Sequence, residues 1–156
     1  MLDDTIEIEE MMREVFEQMH RDIIARHEQA GQVASGRTRD SLRSEIVPGM
    51  SSVTATLYGR KYFAALETGS KPWAKQYQHP PKPFVKTIAE WMKDKGITGV
   101  SAYLVARKIM QEGSSLYRSG GRDDIFTPAM QDAERKIDEQ ISALFERITT
   151  ETIAKI

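Results

Sequence analysis

The sequence predicts an α+β fold: a small antiparallel sheet with a central hairpin, flanked by a long N-terminal and a long C-terminal helix plus shorter helices. Three observations predict it. Ile8, Met12, Val15, Met19 and Ile23 recur at three- and four-residue steps, the apolar spacing of an amphipathic helix. Two strand-like runs, Leu42 to Val47 and Val53 to Tyr58, flank Pro48-Gly49. Near the other end, Met130, Ala133, Ile137, Ile141, Leu144 and Ile148 form a second helical stripe.

In chain order, the first helix is expected to start at Asp4, an N-cap with Glu7 reaching back to it, and to end at Ala30-Gly31 on a left-handed glycine. In the second strand Val53, Ala55 and Leu57 alternate with Thr54, Thr56 and Tyr58. Pro48 fixes φ and Gly49 accepts φ > 0, so the pair is turn chemistry joining a hairpin. Two strands alone are marginal in water, so the hairpin must pack on helices or join a larger sheet, including one completed by other subunits. Residues 70–83 carry four prolines and read as a long irregular loop.

Phe84, Ile88, Trp91 and Met92 then fit a short helix closed at Lys95-Gly96. Another runs from Ser101 as N-cap to Gly113. Ser114 to Arg122 reads as a flexible stretch, and Asp124-Ile125-Phe126 as a short edge strand. Thr127 as N-cap and Pro128 at the first helical position launch the longest helix, whose stripe from Met130 to Ile148 is expected to pack on the sheet. The whole chain, 1–156, is expected to be one domain with a helical insertion at about 84–120.

The chain holds no cysteine, which removes disulfides, thiolate zinc sites and cysteine nucleophiles. No run approaches the ~20 apolar residues of a transmembrane helix, and the acidic start lacks the pattern of a signal peptide. A soluble protein made in the cytoplasm is the expectation, with no membrane partner. The net charge of −1 hides an asymmetry. Residues 1–30 hold 3 basic and 9 acidic side chains, whereas residues 31–86 hold 9 basic and 3 acidic. Opposite-sign surfaces on one small domain favour head-to-tail self-association, and a pair of solvated faces or neutralisation within a monomer is the equal alternative.

Candidate chemistry is sparse. His20 and His27 lie seven apart, whereas helical zinc pairs are four apart, so no metal or other cofactor is expected and a hydrogen-bonding role is. His79 has no evident partner in sequence. Glu67 lacks a neighbouring nucleophile or second carboxylate, which favours a salt bridge or backbone contact over a general base. Asp123-Asp124 suits a solvated loop. Gly36 and Gly69 suit unusual backbone angles. One constellation has binding potential: Arg37, Arg39, Arg43, Arg60 and Lys61, with Lys71, Lys75, Trp73 and Tyr77 from the loop. As assembly chemistry, arginines meet acidic faces and aromatics fill partner pockets. As nucleic-acid chemistry, cations neutralise phosphates and aromatics stack on bases. Trp73 and Tyr77 are expected to anchor an intermolecular contact, the alternative being that Trp73 folds back on its own chain.

Three phrases stand in fixed order: Ser35-Gly36-Arg37-Thr38-Arg39-Asp40-Ser41-Leu42, Tyr62-Phe63-Ala64-Ala65-Leu66-Glu67-Thr68-Gly69-Ser70 and Pro80-Pro81-Lys82-Pro83-Phe84. With Phe126-Thr127-Pro128-Ala129, they resemble the tail-completion, or head–tail joining, proteins of long-tailed bacteriophages. In that family the Pro-Phe and Pro-Ala elements form one run, which a helical segment divides here. The resemblance implies a non-enzymatic virion protein of the neck, made in the host bacterium. It would form a ring of six copies between the capsid connector or adaptor and the tail-tube or tail-terminator proteins, with Glu67 and the basic and aromatic residues named above at subunit or partner contacts. A basic lumen would let DNA pass without reading its sequence. The alternatives are a sequence-nonspecific nucleic-acid-binding protein of phage or prophage origin and a small hydrolase or nuclease using Glu67, His79 and Asp123-Asp124.

Overall fold

A computed structural model of the chain describes residues 2–154, with side chains from residue 4. Its elements in order are α1 (Leu2–Gln29), a single 3-10 turn (Arg39–Ser41), β1 (Arg43–Pro48), β2 (Val53–Tyr58), α2 (Ala65–Thr68), α3 (Lys82–Asp94), α4 (Ala102–Glu112), α5 (Ser115–Arg118) and α6 (Thr127–Ile153). The fold is mixed helix and strand, with long terminal helices around one antiparallel hairpin.

Helix α1 buries Val15, Met19 and Ile23, as its spacing dictates. It begins before Asp4, which therefore lies in the first turn and not at the cap. Gly31, at φ 65°, closes the other end, where the Gln32 N–H donates to His27 O. The hairpin pairs Ser44 with Leu57 and Ile46 with Ala55 on its inner face, and Arg43 with Tyr58 on its outer face. Its turn differs from expectation: Gly49 does not take a positive φ, and the loop closes through the Gly49 N–H to Ser52 O at 2.6 Å.

The layers run sheet, α1, α6. Helix α6 packs mainly on α1, antiparallel to it, with Ala129 and Ala133 against the Val15–Met19–Ile23 stripe and Glu7 bonded to Arg147 at the other end. That corrects the expectation that α6 lies on the sheet. A two-stranded sheet offers one small apolar face, and α1 already covers it. The buried stripe also starts at Ala129, since Met130 lies about 100° round the helix and is half exposed.

Helices α3 and α4 make an antiparallel pair with its own apolar cluster, Ile88, Met92 and Ala106, apart from the main core. Gly96, at φ 67°, closes α3 as expected, while Ser101 stands at the N-cap of α4 without a side-chain bond. Two expectations fail after α4. The stretch Ser114 to Arg122 contains α5 and is bonded to the 67–70 segment at both ends. Residues 124–126 form a bend and no strand, because the N–H groups of Ile125 and Phe126 are taken by the Glu67 side chain.

Candidate functional site

Glu67, in the short helix α2, is 4 % exposed. Its Oε1 accepts the backbone N–H groups of Ile125, Phe126 and Thr127 at 2.8, 2.7 and 2.9 Å, and its Oε2 accepts the Thr127 hydroxyl at 2.5 Å. The first N–H groups of a helix lack intrahelical partners, and a carboxylate there also meets the favourable end of the helix dipole. Glu67 is thus the N-cap of α6, supplied from elsewhere in the chain. Phe126 occupies the cap position and cannot serve, and Thr127 is the first helical residue, a donor to Glu67 and not the cap itself. Burial alone pushes the Glu67 carboxyl up, but the bonds from Thr127, Phe126 and Ile125 together outweigh it and hold the group below its ordinary value.

Next to this junction the backbones approach closely. Gly69, at φ 69°, has room for no Cβ: one would sit 2.6 Å from Ser114 Oγ and against the Tyr117 backbone. Ser114 Oγ accepts the N–H of Ser70 at 2.9 Å, and its N–H returns a bond to Ser70 O at 2.8 Å. These bonds fix α5 and the start of the Pro-rich segment against α2.

Between this junction, the end of α1 and the α3–α4 pair lies a cleft of about 730 Å³. Leu66, Val105 and Ile109 contribute apolar floor, and Trp91, 38 % exposed, and Tyr62, 69 % exposed, present aromatic surface to it. Arg37, Arg60, Lys95, Lys108 and Arg118 line it, against the single carboxylate of Asp94. Some of these cations are engaged. Arg37 is 3.9 Å from Glu90, Arg118 is 3.3 Å from Glu112, and the Lys95 ammonium donates to Gly31 O, tying α3 to the end of α1. Arg60 and Lys108 make no ion pair among the described residues.

Of the basic and aromatic constellation singled out in sequence, only Arg37 and Arg60 line this cleft; His27, Gly36 and Gly69 line it too. Arg39 is held by Asp40 at 2.8 Å and Glu28 at 3.2 Å. Arg43 lies 4.7 Å over the Tyr58 ring on the outer face of the hairpin, and Lys61 lies 6.0 Å over Tyr62. Lys71 and Lys75 are exposed within the Pro-rich segment. Trp73 folds back on its own chain: its ring is 4.9 Å from Phe84 and 5.6 Å from Tyr77, and its backbone N–H donates to Met110 O.

The hydrolase constellation is divided. Glu67 is spent on α6, Asp124 is paired bidentately with Arg122 at 2.5 and 2.8 Å, and His79 shares a 2.9 Å hydrogen bond with Tyr103 beside a separate cleft. His27 is buried and in contact with Gln32, whose amide donates to Leu66 O. Among the described residues no three His, Asp or Glu side chains form a metal-binding group, and no helix is long and apolar enough to cross a membrane.

Sequence reasoning missed Trp91, Lys95 and Lys108, which it placed in the two short helices, and Arg118, which fell in the stretch expected to be flexible. Comparisons with protein-family models, curated proteins and solved structures return no match for this chain.

Proposed function

We propose that this chain is a structural virion subunit of a phage head–tail junction, assembling head to tail with copies of itself into a ring. One observation carries the self-assembly: exposed charge of opposite sign sits near opposite ends of α1. The first half of α1 exposes Glu10 and Glu14, while the basic cleft is lined by Gly31 and Gln32 just past the other end of α1. At 1.5 Å per residue, Glu10 and Gln29 are about 28 Å apart along the helix, so the two regions cannot neutralise each other within one chain. Between copies they can, and an interface of two different patches closes into a ring or runs on as a filament. The neck location and the ring of six rest on the resemblance of the four sequence phrases. Electron microscopy of the purified protein, alone and with tails lacking it, tests the reading: rings that cap those tails support it, and particles that ignore tails count against it.

A second reading is favoured by the exposed aromatic surface of Trp91 and Tyr62 beside Arg37, Arg60 and Lys108. Cations spaced along an aromatic groove suit a single strand, with phosphates neutralised and bases stacked. Anisotropy of a labelled oligothymidine distinguishes it: tight binding near physiological salt favours this function, and binding that vanishes as salt rises leaves the structural role ahead.

A further inference from the structure

We propose that the basic cleft is a socket for the solvent face of α1 from a second copy, specifically the stripe Ile6–Glu10–Glu14. The inference rests on the self-assembly reading and names the two surfaces that would meet. Ile6, Glu10 and Glu14 follow one another at four-residue steps, so they lie within about 80° of the helix circumference. That arc faces away from the buried Val15–Met19–Ile23 side, and all three residues are exposed. Ile6 is 53 % exposed and gives the otherwise charged stripe one aliphatic end. Other carboxylates on α1 are already engaged, Glu9 with Arg13 at 2.9 Å and Glu7 with Arg147. Glu10 and Glu14 have no ion pair among the described residues.

The socket answers this stripe in kind. Its free cations, Arg60 and Lys108, stand beside an apolar floor and the Trp91 ring, the residue types that anchor protein interfaces. An acidic stripe led by one aliphatic residue complements a cationic rim around an aromatic floor, in charge and in polarity. The two surfaces sit near opposite ends of α1, so each copy offers both a plug and a socket.

The test uses two exposed charge reversals in the full chain: a socket variant, Arg60→Glu with Lys108→Glu, and a plug variant, Glu10→Lys with Glu14→Lys. Circular dichroism and melting confirm that each folds; milder forms, Arg60→Gln with Lys108→Gln and Glu10→Gln with Glu14→Gln, replace any that does not. Sedimentation velocity then reads assembly. The proposal expects wild type to assemble and each variant alone to associate at least about tenfold more weakly. It also expects an equimolar mixture of the two to reassociate, because the intact plug of one meets the intact socket of the other and the two reversed surfaces are again of opposite sign. Either variant assembling like wild type, or a mixture that stays monomeric, overturns the socket while self-assembly by another face stands. Wild type that stays monomeric at every concentration removes the self-assembly reading and the socket with it.

Discussion

Glu67 and Thr127 stand sixty positions apart and are joined by a 2.5 Å hydrogen bond, with three backbone N–H groups completing the ring of donors around one carboxylate. The bond links two phrases that the sequence keeps separate, Ala65-Leu66-Glu67-Thr68-Gly69 and Phe126-Thr127-Pro128-Ala129. It sets where α6 begins and therefore which residues of α6 meet α1.

Replacing that carboxylate is expected to destabilise the fold. Glu67→Ala leaves four donors without their acceptor in a buried junction, a loss of about 3 kcal/mol. For a chain of this size that lowers the melting temperature by roughly 6–12 °C. Glu67→Gln keeps one acceptor oxygen and should lose about half as much. Thermal melts at neutral pH read both.

The same group gives the fold an acid limb. Its pKa is depressed in the folded state, so its stabilisation is present above the ordinary carboxylate range and is lost as pH falls through the folded value. The gap in melting temperature between wild type and Glu67→Gln should therefore narrow steadily as the pH is lowered below about 4.3. A gap that widens on acidification would contradict the sign.

Glycine is required at position 69 for two reasons and at position 31 for one. Both residues take a positive φ, but a Cβ at Gly31 meets nothing, whereas one at Gly69 collides with Ser114 and Tyr117. Gly31→Ala is expected to cost about 1 kcal/mol. Gly69→Ala should cost well over twice that, or prevent folding, as chemical denaturation of the two variants would reveal.

In the Pro-rich segment, Trp73 and Tyr77 are expected to separate. The Trp73 ring packs on Phe84, and Trp73→Ala removes that packing while keeping the backbone bond to Met110 O, so it should destabilise by about 2 kcal/mol. Tyr77 remains 48 % exposed, and Tyr77→Ala should leave the melting temperature within a degree or so.

What the sequence made legible follows from the range of each interaction. The α1 stripe and the hairpin are written in local periodicity and turn residues, and both are present. Periodicity names a buried face but not its neighbour, which is why α6 was expected on the sheet and lies on α1. The Glu67 cap spans sixty residues, beyond any local pattern. A signal existed all the same: Glu67 is the single charged residue from Tyr62 to Ser70, and Ile125-Phe126, just before α6, cannot cap a helix. The cleft was half visible. Arg37 and Arg60 belong to the basic constellation that the sequence shows, whereas Trp91, Lys95 and Lys108 are gathered only by the way the α3–α4 pair leans toward the end of α1.

The central claim, that one copy of this chain binds the next, is tested most directly by the mass of the purified protein in solution. Light scattering coupled to size exclusion, across concentration and from about 0.05 to 0.5 M salt, should find a closed species of several chains at low salt that dissociates as salt screens the opposed charges. A single mass of one chain under all of these conditions would contradict the account.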